Sequence, residues 1–228
     1  MQPDLMKTVS TTGFGAVSTN KVLRNTYMLL ALSMIPTVFG AWLGMQLKFN
    51  FLSGAMGFIA FLVITMGFTF AIEKTKHSSL GVVVLLAFTF FMGLMLSQML
   101  GYIMHFKNGS TLVMTAFGGT AAIFVGMATL GTVIKRDLSK MGKFLFIGML
   151  LVLLAAFANI FLQIPMLHVA ISVLVIGIFS AYLVYDVQRI VNGGETNYIS
   201  ATLSLYISLF NVFQSLLSLL GIAGGERD

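Results

Sequence analysis

At 228 residues, 58% hydrophobic and 9% charged, the chain falls far below the roughly 25% charged residues of a soluble domain, and an ordinary soluble fold is excluded. Its net charge of +6 comes without a groove-sized basic cluster, so the excess reports membrane orientation and not nucleic-acid binding. With no cysteine, disulfides, thiolate nucleophiles and thiolate metal sites are excluded as well.

In chain order, the first stretch is polar: MKTVSTTGFGAVSTN, rich in Gly, Ser and Thr, cannot bury a core. It predicts a disordered tail over residues 1–20. Seven apolar segments follow, at 26–47, 50–72, 79–104, 111–134, 144–164, 166–187 and 198–222. Each is long enough to cross a bilayer, which takes roughly 20 helical residues. Lipid offers the backbone no hydrogen bonds, and these runs have helix length without strand alternation, so helices are predicted. The fold class is an all-α integral membrane protein of seven transmembrane helices, one membrane domain over 21–222, with a short tail at 223–228.

The first segment follows Lys21 and Arg24, is too long for a signal-peptide core, and lacks a small-residue cleavage site. It reads as a retained anchor. Pro36 inside it predicts a kink, whereas Pro165 stands where a helix can begin. Numbering the loops alternately places Lys7, Lys21, Arg24, Lys74, Lys76, Lys135, Arg136, Lys140, Lys143 and Arg189 on one side. Lys48, Lys107 and Arg227 fall on the other. Basic loops stay in the cytoplasm, so the N-terminus is expected inside and the C-terminus in the periplasm. No internal repeat is evident, which disfavours an inverted-repeat transporter.

In helix 4, Gly118, Gly119 and Gly126 read as close-packing positions. Asn159 and Gln163 share a face of helix 5 at i, i+4 and can bond across helices. His77, His105 and His168 fall at different ends and cannot meet on one metal. No phosphate-binding loop motif occurs, and no catalytic constellation or cofactor site emerges.

Two features of the last helices carry the functional reading. Asp186 lies in LVYDVQRIVNGGETN at the end of helix 6, and intramembrane carboxylates normally face a partner or water. Either it pairs with Arg189 at i+3 near the interface, or it turns inward toward Ser204 or Ser208, where it could respond to pH. On helix 7, Ser204, Ser208, Asn211, Ser215 and Ser218 recur at spacings of 4, 3, 4 and 3, a single stripe that Asn197 extends. This stripe is either a packing seam or the lining of a polar pathway, and in both cases it faces the bundle. The other face, with Leu205, Leu209, Leu216 and Leu219, is apolar, so helix 7 is expected to be surrounded.

VYDVQRI and SATLSLYISLFNVFQSLLSLLG resemble the signature regions of the Bax inhibitor (transmembrane Bax-inhibitor-motif) family. KVLRNTYMLLALS, ANIFLQIPMLHVAIS and GGETNYI are similar to its bacterial branch of FtsH protease modulators. The resemblance runs from about Lys21 to Gly221. It implies seven helices with the seventh enclosed by the other six, an inner-membrane location, and a non-enzymatic regulator that binds FtsH and restrains its proteolysis of membrane proteins. Relatives described as pH-sensitive calcium leak channels imply an alternative, a calcium or proton leak gated by two aspartates. Here Asp186 occupies the helix 6 position, but Ser208 stands where helix 7 would carry the second aspartate. Segment 50–72 also lacks the basic residue that relatives place in helix 2. Because a shared proton needs two repelling carboxylates, that gate cannot operate as such.

Overall fold

The computed structural model describes residues 4–49, 54–134, 136 and 138–224, with side chains from residue 21 onward. It contains α1 (Asp4–Gln46), α2 (Gly54–Thr75), α3 (Ser79–Ile103), α4 (Gly109–Val133), α5 (Met141–Leu162), α6 (Pro165–Val191) and α7 (Tyr198–Gly224). All seven are long and apolar enough to cross a membrane, α1 over Lys21–Gln46. No strand occurs among the described residues. The helices therefore fall within a few residues of the segments expected from hydropathy.

Two boundaries differ. The backbone of α1 is helical back to Asp4, in place of the irregular segment expected over residues 1–20. Extending a formed helix adds one hydrogen bond per residue fixed and requires no new nucleus, and no proline interrupts the chain between Asp4 and Ile35. At the other end α7 continues to Gly224. Residues 225–228 of the expected tail lie outside the described residues.

Polar caps and prolines set several termini. Pro165 occupies the first turn of α6 behind an extended Ile164 (φ −88°, ψ 112°), as its missing N–H allows. At the end of α5, Gln163 takes a left-handed conformation (φ 52°), and Asn159 Oδ1 accepts the Ile164 N–H at 3.1 Å. Asn159 thus closes its own helix terminus and does not bond across helices. Pro36 lies inside α1, which remains helical through to Gln46.

Helix α7 occupies the core. It contacts α1, α2, α3, α4 and α6, and no residue from Tyr198 to Phe213 is exposed. The remaining helix, α5, packs on α6 and α2 and does not reach α7, so five helices make the enclosure. Correspondingly, α5 buries Leu145 alone among its side chains.

The most extensive helix pair is α1 with α3. Here Gly40 and Gly44 of α1 face Gly93 and Ser97 of α3, two small-xxx-small faces in register. A Cβ on Gly93 would collide with the Thr37 carbonyl, one on Gly40 with the Phe90 carbonyl, and one on Gly44 with the Ser97 hydroxyl. In α4 the glycine tight against another spanning helix is Gly131, where a Cβ would lie 2.8 Å from the Val184 carbonyl oxygen of α6, while Gly109 at the start of α4 is tight against the Ile103 carbonyl. At Gly118 and Gly126, expected at packing positions, an added Cβ would meet nothing within 4 Å, and at Gly119 it would make only an ordinary 3.4 Å approach to Leu216. Small residues permit close approach on any face, and Gly118 and Gly126 lie on the exposed one.

Candidate functional site

The α6–α7 hairpin organises the end of the bundle that carries the basic loops. Gln188 is buried on α6 and turns its whole carboxamide to the α4–α5 connection. Its Oε1 accepts the Leu138 N–H at 3.1 Å, while Nε2 donates to Ile134 O at 3.0 Å and Arg136 O at 2.6 Å. Asn197 does the same for the α2–α3 connection, donating from Nδ2 to Lys76 O at 2.8 Å. Its Oδ1 accepts the N–H groups of Ile199 (2.9 Å) and Ser200 (3.2 Å), which makes it the cap of α7. Two amide side chains thus hold two basic loops against one hairpin. Beside them the Glu73 carboxylate, 2.7 Å from Lys76 Nζ, holds that ammonium above its ordinary range.

Asp186 is buried one turn from Arg189, yet among the described residues no salt bridge joins the two. The Arg189 guanidinium lies 3.5 Å from Glu195 Oε2, and its Nε donates to Gly194 O at 3.3 Å. The tight Gly193-Gly194 turn, with Gly193 at φ 74°, brings Glu195 back over Arg189 and supplies the nearer carboxylate. Among the described residues no hydrogen bond joins Asp186 to Ser204 or Ser208. Asp186 and Ser208 also differ in position along the hairpin. At about 1.5 Å per residue, Asp186 sits roughly 7 Å from the end of α6, and Ser208 roughly 15 Å from the start of α7.

The polar stripe of α7 divides into three stretches. Near the hairpin it is structural: Asn197 caps, and Thr202 Oγ1 donates within 2.7 Å of Tyr198 O and 3.3 Å of Thr26 O on α1. Ser200 Oγ is buried there near the Glu73 carboxylate, with no hydrogen bond of good geometry to a described residue. In the middle, Ser204 is half-buried, Ser208 is fully buried, and Asn211 turns its Nδ2 back to Ile207 O at 2.8 Å. At the far end Ser218 Oγ meets His168 Nε2 of α6 at 2.8 Å, and Ser215 is buried beside it. Gln214, at the border of the stripe, is exposed.

Tyr206, which the spacing of the stripe passes over, ties the middle together. It is 1% exposed, and its ring packs against Phe88 and Phe210 with centroids at 6.0 and 6.1 Å. Its hydroxyl lies 2.8 Å from Thr37 Oγ1 on α1 and 3.4 Å from Thr89 O on α3. Thr37 also lies 2.8 Å from Ser33 O. With the Thr37 hydroxyl donating to Ser33, Tyr206 donates to Thr37, and the Thr89 approach is secondary. A tyrosine midway along a spanning helix, away from the interfacial aromatic belt, is the signal that identifies this tether from sequence. The result is a polar seam fastening α7 to α1, α3 and α6 across the depth of the bundle. Among the described residues no three His, Asp or Glu side chains are grouped to hold a metal ion.

The chain is similar to several known proteins. A family model described as inhibitor of apoptosis-promoting Bax1 matches residues 19–225. The chain is 41% identical over 212 residues to the modulator of FtsH protease YccA of Escherichia coli (strain K12), covering 93% of this chain and 94% of that one. It is equally similar, 41% over 212 residues, to a protein of Escherichia coli O6:H1 named inner membrane protein YccA. An uncharacterized membrane protein of Vibrio cholerae is 38% identical over 206 residues, 90% of this chain and 91% of the relative.

Proposed function

The chain belongs to the Bax inhibitor family, and on that footing we propose that it is an inner-membrane protein that binds an FtsH-type protease and modulates its degradation of membrane proteins. The observation that carries this reading is 41% identity, over 93% of the chain, with a protein named modulator of FtsH protease. The geometry is compatible with a partner role that needs no chemistry of its own. Helix α7 is locked in the core, and Gln188 and Asn197 present the basic loops as a fixed surface. In this reading the basic end faces the cytoplasm, which the distribution of Lys and Arg supports. Residues 1–20 then lie on the same side, where an ATP-driven protease can grip a chain end.

This assigns the N-terminal segment a part in engagement. Deleting residues 2–18 is expected to reduce co-purification of FtsH with the chain several-fold and to lengthen the chain's own half-life in growing cells. Unchanged co-purification together with unchanged turnover rejects that part.

A further inference from the structure

Because α5 stands off from α7, a cavity of about 400 Å³ opens between α3, α5, α6 and α7 in the half of the bundle away from the basic loops. Its volume lies within the roughly 300–1,000 Å³ of small-molecule sites. Met99, Ile160, Ile171 and Val175 supply apolar walls, and Ala156 leaves room on the α5 side. Into it converge Asn159, His168, Gln214, Ser215 and Ser218.

The polar groups are not all engaged. His168 and Ser218 hold each other, and Ser172 donates to the His168 carbonyl at 2.9 Å. Asn159 commits its Oδ1 to Ile164 N and keeps its Nδ2 for another acceptor. Gln214 makes no hydrogen bond to any described residue, and its amide offers both donors and an acceptor.

Depth makes that freedom informative. Gln214 is roughly 15 Å along α7 from its end at Gly224. The helix overhangs a hydrocarbon core of about 30 Å by only a few ångströms at each end, so the amide lies at acyl-chain level. A free amide at that level faces either a water-filled cavity or a ligand that satisfies it. The lining carries no lysine, arginine or carboxylate, so an ionic head group would find no counter-charge. The mostly apolar walls at acyl-chain depth would suit a hydrocarbon chain.

We propose that this cavity binds a neutral amphiphile, its head group carrying both a donor and an acceptor paired with the Gln214 amide and Asn159 Nδ2, and its chain lying against Met99, Ile160 and Val175. The site lies at the opposite end of the bundle from the basic loops.

The test uses the full chain in phosphatidylcholine nanodiscs with a diazirine-bearing monoacylglycerol as probe and a diazirine-bearing phosphatidylcholine as control. Photolabelling by the monoacylglycerol is expected to saturate, to map to residues 156–160 and 214–218, and to be displaced by unlabelled monoacylglycerol. Gln214→Leu should weaken it about tenfold, the size of one lost hydrogen bond. Ala156→Phe, which fills the cavity from α5, should abolish it, while both variants keep wild-type helicity and thermal unfolding. Labelling that does not saturate, that matches the phosphatidylcholine control, or that persists in Gln214→Leu means the cavity holds water or bulk lipid only, and overturns the proposal.

Discussion

Gly93→Ala is expected to destabilise the protein by about 3 kcal/mol, the upper end of overpacking costs, whereas Gly118→Ala should shift stability by no more than about 0.5 kcal/mol. Both substitutions add one methyl to a glycine in a membrane helix. At Gly93 that methyl runs into the Thr37 carbonyl oxygen and comes within 3.0 Å of the Ala41 amide nitrogen, both on α1. Backbone cannot rotate away as a side-chain tip can, so α1 and α3 must separate and forfeit contacts along the largest helix pair in the bundle. At Gly118 the methyl meets nothing within 4 Å. Thermal unfolding of the two purified variants in one detergent measures the difference. Equal effects would mean that α1 and α3 do not approach through these glycines.

A second large effect is expected at Tyr206. Removing its ring in Tyr206→Ala should cost about 3–5 kcal/mol, as for other buried aromatic side chains, because Phe88, Phe210 and their neighbours cannot collapse into the space. Tyr206→Phe keeps the packing and removes one bond to Thr37. Thr37 retains its bond to Ser33 O, so no orphaned hydroxyl is created, and the loss should be about 1 kcal/mol. The ratio of the two, read by reversible unfolding, separates packing from hydrogen bonding. A loss below about 1 kcal/mol in Tyr206→Ala would contradict the placement of α7 in a close-packed core.

Much of this architecture was legible in the residues. Lipid imposes one solution on apolar runs of spanning length, so the seven helices and their order followed from hydropathy. The stripe on α7 correctly marked an inward-facing helix, and its apolar face is buried at Leu205 and Leu209 and half-buried at Leu216 and Leu219. What escaped was everything that depends on azimuth. Gly40 and Gly44 are glycines of a spanning helix just as Gly118 and Gly126 are, and residue type alone does not say which face meets a neighbour. The standoff of α5 from α7 has no local signature, because α5 is apolar all round and would suit the core as well as the periphery. Polar roles are hidden for a related reason. Asn159 closes its own helix end and Arg189 turns to Glu195, because partners reached through a helix terminus or a glycine turn are nearer than those on facing helices.

The departure at Ser208 bears on function. With a serine buried on α7 and Asp186 more than a turn nearer the hairpin, no carboxylate pair spans the two helices, and a partner-binding role asks nothing of either residue beyond packing. The claim that this chain regulates a protease is tested most directly by reconstituting it with FtsH in liposomes and timing the loss of a membrane-protein substrate. Degradation is expected to slow several-fold as the chain is titrated to saturation, with ATP present throughout. A degradation rate that stays constant while the chain is demonstrably bound to the protease, or a chain that does not bind at all, would contradict the proposed function.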